Sequence, residues 1–285
     1  MTGDKRYLVI GSNSFLGRAI TAELWDSGAQ VDGLYHINKD QLFNKATHYP
    51  VSGMKHLQHS YTTVFLVSAY IPAKGEEGME ERLAEVNEQL VEDVCKAFPE
   101  SKLVYCSTVS VYGNSLEPLN ESSPAAPESP YGRSKLAGEQ IAAGHPDHAI
   151  VRISSMYGPG MKLHTFLPAV IGQALEHREV HIFGDGSRLQ NYVHVNDVAR
   201  FAIRAAERPE SDTYLAVSNE STSNLEVAEL VSLKVGNTKI TFGGKDESAS
   251  YVYNNEYTRR TLGNEAATPL DRGLTELIEW IRKQY

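Results

Sequence analysis

The chain has 285 residues, and at about 150 residues per domain this length suggests one large domain with a smaller lobe. Its composition, 41% apolar and 22% charged, is typical of a globular protein and argues against intrinsic disorder, a disulfide scaffold or a coiled-coil rod. A net charge of −9 argues against nucleic acid as a partner, because binding to a phosphate backbone requires clustered basic residues.

The cysteines and the first apolar segment bear on the cellular compartment. Cys95 and Cys106 are too few for a disulfide framework and suit the thiol state of a reducing compartment, so we expect a cytoplasmic protein. The apolar run at residues 7–10 is too short for a secretion signal or a membrane span, and no membrane partner is expected. The histidines lack metal-ligand spacing, so no metal site is expected.

The first elements along the chain alternate between strand and helix. Residues 7–10 form a short apolar run typical of a buried parallel strand, and a turn with glycine at both ends follows at 11–17. Apolar residues then recur at helical spacing over residues 18–27, and Gly28 stands where a C-cap glycine belongs. Residues 31–36 are predicted as the second strand.

Later segments repeat this alternation. Strands are predicted at residues 64–68, 103–106 and 149–153, and helices at about 80–97 and 131–143. This pattern predicts an α/β fold with a doubly wound, mainly parallel sheet over residues 1–153.

The rest of the chain, residues 154–285, is less regular and is interpreted as a smaller substrate-binding lobe. Helices are predicted there at 166–176 and 195–207. The apolar strand predicted at 213–217 is expected to return to the large sheet.

Residues 11–17, Gly-Ser-Asn-Ser-Phe-Leu-Gly, join the first strand to the first helix. In such a turn the backbone amides at the helix N-terminus face a pyrophosphate, the first glycine permits the tight turn, and the last allows helix and strand to pack closely. Gly11 and Gly17 fill these two positions, whereas the middle position is Ser14 rather than glycine. The pattern predicts a dinucleotide site with an incomplete fingerprint.

Tyr131 and Lys135 are four residues apart, which places both side chains on one face of a helix. A lysine ammonium beside a phenol favours the phenolate, so the tyrosine pKa is expected below its usual value of about 10. The hydroxyl-rich segment 106–113 directly follows a predicted strand, and ligands of doubly wound sheets lie outside the carboxyl ends of the strands. These residues are therefore candidates for proton transfer.

Several further motifs occur in order along almost the whole chain. They are Asn87, Ser-Thr-Val-Ser-Val-Tyr-Gly (107–113), Ser-Pro-Tyr-Gly-Arg-Ser-Lys (129–135), Met-Tyr-Gly-Pro-Gly (156–160), Phe-Gly-Asp-Gly-Ser (183–187), Tyr-Val-His-Val-Asn-Asp-Val-Ala (192–199) and Gly-Leu-Thr-Glu-Leu-Ile-Glu-Trp (273–280). With residues 11–17, this order resembles the extended short-chain dehydrogenase/reductases, a group of nucleotide-sugar epimerases, dehydratases and reductases. The resemblance implies a Rossmann domain for a nicotinamide dinucleotide and a small C-terminal lobe for a nucleoside-diphosphate sugar.

The resemblance also implies a catalytic triad of Thr108, Tyr131 and Lys135. Tyr131 would exchange a proton with the sugar oxygen, Lys135 would hold the nicotinamide ribose and lower the tyrosine pKa, and Thr108 would orient the sugar oxygen. Hydride would pass between the nicotinamide and the sugar carbon. The cofactor contacts carried over by position are Gly11, Ser14, Phe15, Leu16, Gly17 and Lys135.

Departures from the family pattern bear on the reaction and the cofactor. Family dehydratases place an Asp-Glu pair directly after the catalytic threonine; Val109 and Ser110 stand there, so dehydration is not expected. The acid that would bind the adenosine ribose of NAD is replaced by Tyr35, with His36 and Lys39 following. A 2′-phosphate would be accepted better there, which favours NADP(H) over NAD(H).

The positions that bind the sugar nucleotide also depart from the family pattern. The usual sugar-side asparagine is Ser155, and the arginine expected before the Tyr-Val-His run is Gln190, with Arg188 two places earlier. Ser155, Arg188 and Gln190 are nevertheless the substrate-binding candidates.

Three functions stay open on this basis. The first is a reductase of a 4-keto nucleotide (deoxy)sugar, the second is an NAD-dependent nucleotide-sugar 4-epimerase, and the third is a dinucleotide-sensing protein without catalysis. The reductase is favoured over the epimerase because the chain lacks the ribose-binding acid and the complete glycine fingerprint that a tightly held cofactor requires. The nucleotide and the sugar are left open, and a homodimer is the working expectation for the assembly.

Overall fold

The computed structural model describes residues 5–36, 38–73, 76, 78–115, 117–263 and 268–284. Seven parallel strands form its main sheet, in the order β3, β2, β1, β4, β5, β6, β11. Their bounds are β1 Arg6–Ile10, β2 Gln30–Tyr35, β3 Thr47–Pro50, β4 Thr63–Leu66, β5 Lys102–Thr108, β6 His148–Ile153 and β11 Asp212–Ala216. The order reverses between β1 and β4, which is the switch point where doubly wound sheets bind ligands.

Helices cover both faces of this sheet. Their bounds are α1 Phe15–Asp26, α2 Met79–Ala84, α3 Leu90–Ala97, α4 Pro130–Ala143 and α6 Val195–Ala206; a π-helical segment, Glu85–Gln89, joins α2 to α3. Side chains of α1 and α6 pack on one face with Val9 and Phe65, and those of α3 and α4 pack on the other face with Leu8 and Leu66. Successive strand residues point to opposite faces, so these strands are apolar throughout.

A second apolar cluster lies among the later elements. They are β7 Ser155–Tyr157, α5 Phe166–His177, β8 Glu179–Phe183, β9 Leu189–Gln190, β10 Tyr192–His194, β12 Thr222–Ser223, α7 Asn224–Val235, β13 Lys239–Gly243, α8 Glu256–Leu262 and α9 Leu270–Arg282. Helices α5, α7 and α9 pack together with β8 and β10 around Ile171 and Leu277. Phe15 packs against this cluster and against the core under α1.

The predicted α/β fold with a doubly wound parallel sheet is confirmed. The strand expected at 213–217 is β11, paired in parallel with β6 at the edge of the sheet. The division of the chain at residue 153 stays a prediction. The sequence analysis missed β3, a half-exposed edge strand with no apolar run that ends at Pro50, where an edge strand tolerates proline.

Candidate active site

The turn between β1 and α1 requires glycine at both ends. Gly11 has a φ of +90°, and a Cβ there would lie 2.8 Å from the backbone nitrogen of Ser68. At Gly17 a Cβ would lie 2.0 Å from the carbonyl oxygen of Gly11. The start of α1 therefore packs directly on the end of β1, and its N-terminus opens at the carboxyl end of the sheet, where it is suited to an anion.

Three of the five residues between these glycines, Ser14, Phe15 and Leu16, differ in what they offer a ligand. Ser14 caps α1: its Oγ accepts a hydrogen bond from the Gly17 nitrogen at 3.0 Å. Phe15 is half-buried between the two cores, and Leu16 is a core side chain that is 2% exposed. Leu16 can therefore contact a cofactor only through its backbone, which limits the predicted contact to the amide.

The buried hydroxyl of Ser12, within the glycine-rich turn, contacts the second strand and His48. The Oγ of Ser12 lies 3.2 Å from the Leu34 carbonyl oxygen and 2.9 Å from Nδ1 of His48, and its single proton can be donated to either of them. Nε2 of His48 lies 2.8 Å from the Phe43 carbonyl, which can only accept, so Nε2 carries a proton. Gly33 leaves room for this imidazole, because a Cβ there would lie 2.3 Å from Nδ1. Nothing in the sequence pattern indicated His48.

The predicted NADP residues lie at the carboxyl end of β2. Tyr35 is buried, while His36 and Lys39 are exposed, and the Lys39 ammonium lies 5.9 Å from the centre of the Tyr35 ring. The Asn13 side chain donates to the Asn38 carbonyl at 2.8 Å, which ties this segment to the glycine-rich turn. His36 and Lys39 therefore lie on the segment that contacts the glycine-rich turn, residues 11–17.

The end of β5 and the start of α4 bring Thr108 and Tyr131 together. Ser129 caps α4 by accepting from the Gly132 nitrogen at 3.0 Å, and proline follows at the first helical position. A Cβ on Gly132 would lie 2.5 Å from the Ser110 carbonyl, so the helix start packs directly on the segment after Thr108. As a result, Tyr131 at the start of α4 lies close to Thr108 at the end of β5, whose Oγ1 donates to Oγ of Ser110 at 3.2 Å.

The expected lowering of the Tyr131 pKa is wrong. Burial raises the pKa of Tyr131 to about 12, and the influence of the nearby Thr108 hydroxyl offsets only part of this rise. Lys135 does not lower it, because the ammonium is directed elsewhere: Nζ donates to the Cys106 carbonyl at 2.8 Å. Tyr131 is therefore a protonated phenol at neutral pH.

Lys135 itself is 1% exposed. Burial lowers its pKa to about 8, against the opposing influence of Cys106 and Glu139. Its ammonium lies 4.0 Å from the centre of the Tyr105 ring. The sequence analysis did not select Tyr105.

Asn87 lies in the π-helical segment before α3 and joins three elements. Its Nδ2 donates to Oγ of Ser134 at 2.9 Å and to the Tyr70 carbonyl at 3.0 Å, and its Oδ1 accepts from the Tyr70 nitrogen at 2.8 Å. The asparagine thereby fixes the segment after β4 against the helix that carries Tyr131 and Lys135. Single π turns within helices are frequent at functional sites.

The substrate candidates line a cleft of about 270 Å³ beside Thr108, here called the tyrosine cleft. Its lining comprises Val109, Ser110, Gly113, Glu128, Ser129, Ser154, Ser155, Arg188, Gln190, Asn191, Tyr251 and Tyr253. The structure therefore brings Ser155, Arg188 and Gln190 together, next to the segment that follows the candidate threonine.

Two polar side chains of this cleft, those of Arg188 and Gln190, already bond to neighbouring residues outside its lining. Arg188 donates to the Ala249 carbonyl at 3.2 Å and lies 3.8 Å from a carboxylate oxygen of Asp246. Gln190 donates to Asn224 at 2.8 Å, and Asn224 donates to Asp246 at 3.3 Å. Arg188 thus shares its charge with Asp246 rather than presenting it freely.

Other residues of the tyrosine cleft were missed by sequence reasoning. Tyr251 and Tyr253 stack with ring centres 6.4 Å apart and planes 13° from parallel, and Tyr251 donates to Asn114 at 3.0 Å. The Tyr-Val-Tyr alternation was the available signal, since alternate residues of an extended chain share a face. Glu128 also lines the cleft and was not indicated by any motif.

Comparison with known proteins agrees with this arrangement. Residues 7–216 match the sequence model of the NAD dependent epimerase/dehydratase family. The chain belongs to this family. The expected Rossmann-like α/β fold and the expected place among the extended short-chain dehydrogenase/reductases are thereby confirmed.

Individual relatives are distant. An uncharacterized UDP-glucose epimerase of Bacillus subtilis (strain 168) is 26% identical over 68% of this chain and 64% of its own length, so the chain spans less than two thirds of that relative. A mouse (Mus musculus) dTDP-D-glucose 4,6-dehydratase is 25% identical over 85% of this chain and 67% of its own length. The solved structure of MoeE5 in complex with UDP-glucuronic acid and NAD is 25% identical, with a TM-score of 0.85 over 98% of this chain and all of that one.

Within the part of the chain that the structure describes, no helix is both long and apolar enough to cross a bilayer. Among the same residues, no group of three or more His, Cys, Asp or Glu side chains is placed to hold a metal ion.

Proposed function

We propose that this protein is an NADP(H)-dependent oxidoreductase that reduces the 4-keto group of a nucleoside-diphosphate (deoxy)sugar. The observation that carries this proposal is the state of Tyr131. The start of α4, which carries Tyr131, packs directly on the segment after Thr108 that lines the tyrosine cleft, and burial raises the pKa of Tyr131 to about 12. A protonated phenol is ready to give a proton to a developing alkoxide, which reduction requires, whereas an epimerase begins by removing a proton.

The residues of this chain then have distinct tasks. Tyr131 donates its proton to the carbonyl oxygen of the substrate, and the Thr108 hydroxyl orients that oxygen by a hydrogen bond. Lys135 is the buried cation beside them and would bind the ribose of the nicotinamide. The bound dinucleotide would supply the hydride.

The residues present fit a dinucleotide. The Gly11–Gly17 turn leaves the N-terminus of α1 open to a pyrophosphate, and the first turn of this helix contains no acidic residue. Preference for the phosphorylated cofactor rests on Tyr35, which provides no carboxylate to repel a 2′-phosphate, and on the exposed His36 and Lys39. Because MoeE5 was solved with NAD, this preference requires its own measurement.

The substrate class rests on the tyrosine cleft and on the relatives. Their names refer to UDP and dTDP sugars. Arg188 is the candidate contact for the diphosphate, with Gln190 and Ser155 as further polar contacts. Val109 and Ser110 stand where dehydration would require an acid and a base, so we do not propose that a water molecule is eliminated.

The test is a mixture of the protein, NADPH and a panel of 4-keto-6-deoxy nucleotide sugars. Stoichiometric loss of the nicotinamide absorbance with one member of the panel is the expected result. Mass spectrometry of small molecules retained by the purified protein narrows the panel beforehand.

A nucleotide-sugar 4-epimerase is the second candidate, favoured by the named function of the Bacillus subtilis relative. Constant nicotinamide absorbance, together with conversion of a fully reduced nucleotide hexose to its 4-epimer without added cofactor, would establish it in place of the reductase.

A further inference from the structure

The surroundings of the Lys135 ammonium raise a question that the proposed triad does not answer. The side chain is 1% exposed, and Nζ is bonded to the Cys106 carbonyl at 2.8 Å. An ammonium has three donors and is costly to bury without partners. Its other close neighbour is an aromatic face, the ring of Tyr105, whose centre lies 4.0 Å from Nζ.

The position of Tyr105 is built into two elements. Tyr105 lies on β5, is fully buried, and packs against α4, the helix that carries Lys135. Gly138 on α4 makes room for the end of the ring, because a Cβ there would lie 2.2 Å from Oη of Tyr105. The ring therefore reaches its place beneath Lys135 only because residue 138 has no side chain.

The hydroxyl group does not explain why a tyrosine is buried here. Oη of Tyr105 has no hydrogen-bond partner among the described residues, and an unpaired buried hydroxyl destabilises the folded protein. The face of the ring, in contrast, has a favourable partner, since the negative quadrupole of an aromatic face attracts a desolvated cation.

We propose that Tyr105 is a positioning residue, whose ring holds the Lys135 ammonium in its charged form and fixes it at the carboxyl end of β5. This inference rests on the proposed role of Lys135 in binding the dinucleotide. Tyr105 itself acts through Lys135.

The other titratable and charged groups around Lys135 are Cys106, Tyr131, the ion pair of Glu139 with Arg152, and the Tyr105 phenol, whose pKa burial raises well above its usual value. Burial raises the pKa of the Cys106 thiol to about 12, and the pKa of Tyr131 is also about 12. Glu139 is paired with Arg152, whose Nη2 lies 2.7 Å from the carboxylate. A titration near pH 8 therefore reports the ammonium of Lys135, whose pKa is about 8.

The experiment measures the dissociation constant of NADPH from about pH 6.5 to about pH 9.5 by fluorescence titration. Affinity is expected to fall above about pH 8, as the ammonium loses its proton. Replacement of Tyr105 by pentafluorophenylalanine keeps the ring shape but removes the negative face, and Tyr105→Phe keeps both. We expect the fluorinated protein to lose affinity about one pH unit earlier than Tyr105→Phe, with about tenfold weaker binding at pH 8.5. An unchanged midpoint overturns the proposal.

Controls separate the possible failures. Pentafluorophenylalanine in place of Phe65, a buried ring on the opposite face of the sheet, should leave the midpoint unchanged. Tyr105→Leu removes the ring altogether and must move the midpoint in the same direction as fluorination. Lys135→Met should abolish the loss of NADPH affinity at alkaline pH. If this loss persists in Lys135→Met, the assignment of Lys135 to the cofactor is wrong, and the proposed role of Tyr105 is overturned with it.

Discussion

The two sides of the candidate site are built differently. On the cofactor side, the essential groups come from short continuous segments at the carboxyl ends of β1, β2 and β5, and backbone geometry dominates: a turn at Gly11–Gly17 and a helix N-terminus. The tyrosine cleft is built from residues more than 120 positions apart, from Val109 to Tyr253, and its Gln190 is held by Asn224, which in turn bonds to Asp246. Local sequence therefore determines the cofactor side, whereas the tyrosine cleft depends on tertiary packing.

The largest effect of a substitution on turnover is expected where the cofactor side meets the tyrosine cleft, at Tyr131. Tyr131→Phe is expected to reduce turnover by about 10²–10⁴-fold, because only the proton-donating hydroxyl is lost. NADPH affinity should stay within several-fold of wild type, whereas Lys135→Met should impair both properties. Steady-state kinetics and binding titrations give the two values; if Tyr131→Phe retains more than about a tenth of the activity, the triad assignment is wrong.

On the cofactor side, we expect substitutions to weaken NADPH binding by changing the backbone geometry of the glycine-rich turn. Gly11→Ala introduces a methyl group 2.8 Å from the Ser68 nitrogen at a φ of +90°, so the turn must shift, and NADPH affinity should fall more than about tenfold. Gly28→Ala is the matched control: its φ is +82°, but a Cβ there meets nothing within 4 Å.

The two alanine variants should both lose about 1–2 kcal/mol of stability from the left-handed backbone conformation, measured by denaturant unfolding. Only Gly11→Ala should also lose cofactor affinity. Equal affinity in the two variants would mean that the turn does not approach the dinucleotide.

In the tyrosine cleft, we expect substitutions of charged residues to change the KM for the nucleotide sugar. Arg188→Met should raise the KM for a nucleotide sugar about tenfold, the effect of losing one charge-assisted contact, and leave NADPH affinity unchanged. Asp246→Asn should lower KM, because the carboxylate that lies 3.8 Å from Arg188 no longer competes for its charge. Arg208→Met serves as the control, since Arg208 is paired with Glu210 near the amino end of β11. If Arg188→Met behaves like Arg208→Met, the diphosphate binds elsewhere.

The fold could be predicted because its signal is local. The apolar runs around Leu103 and Ile150 are buried on both faces, as central parallel strands must be, and each is followed or preceded by a helical pattern. The edge strand β3 lacked this signal because none of its four residues is fully buried. Elements such as α7 and β13 lie in the second cluster, where no regular alternation precedes them.

The candidate site was predictable in position but not in electrostatics. Helical spacing was enough to place Tyr131 and Lys135 on one face of α4. The sign of the Tyr131 pKa shift was wrong, because it depends on burial and on the direction in which the Lys135 ammonium points, and neither is encoded in spacing. His48 and Asp246 reach their partners through tertiary packing alone, and no motif marks them.

The smallest expected effect concerns the choice between the two dinucleotides at the end of β2. Lys39 is exposed, so its attraction for a 2′-phosphate is screened by solvent, and Lys39→Ala should reduce the ratio of NADPH to NADH affinity only about three- to fivefold. NADH affinity itself should not change, because NADH has no charge at that position. Lys96→Ala, an exposed lysine on α3 paired with Glu92, is the control and should leave the ratio as it is. The affinities are measured by parallel titrations with NADPH and NADH. A wild-type preference for NADH would contradict the proposed cofactor. An unchanged affinity ratio in Lys39→Ala would leave His36 as the remaining candidate for binding the 2′-phosphate.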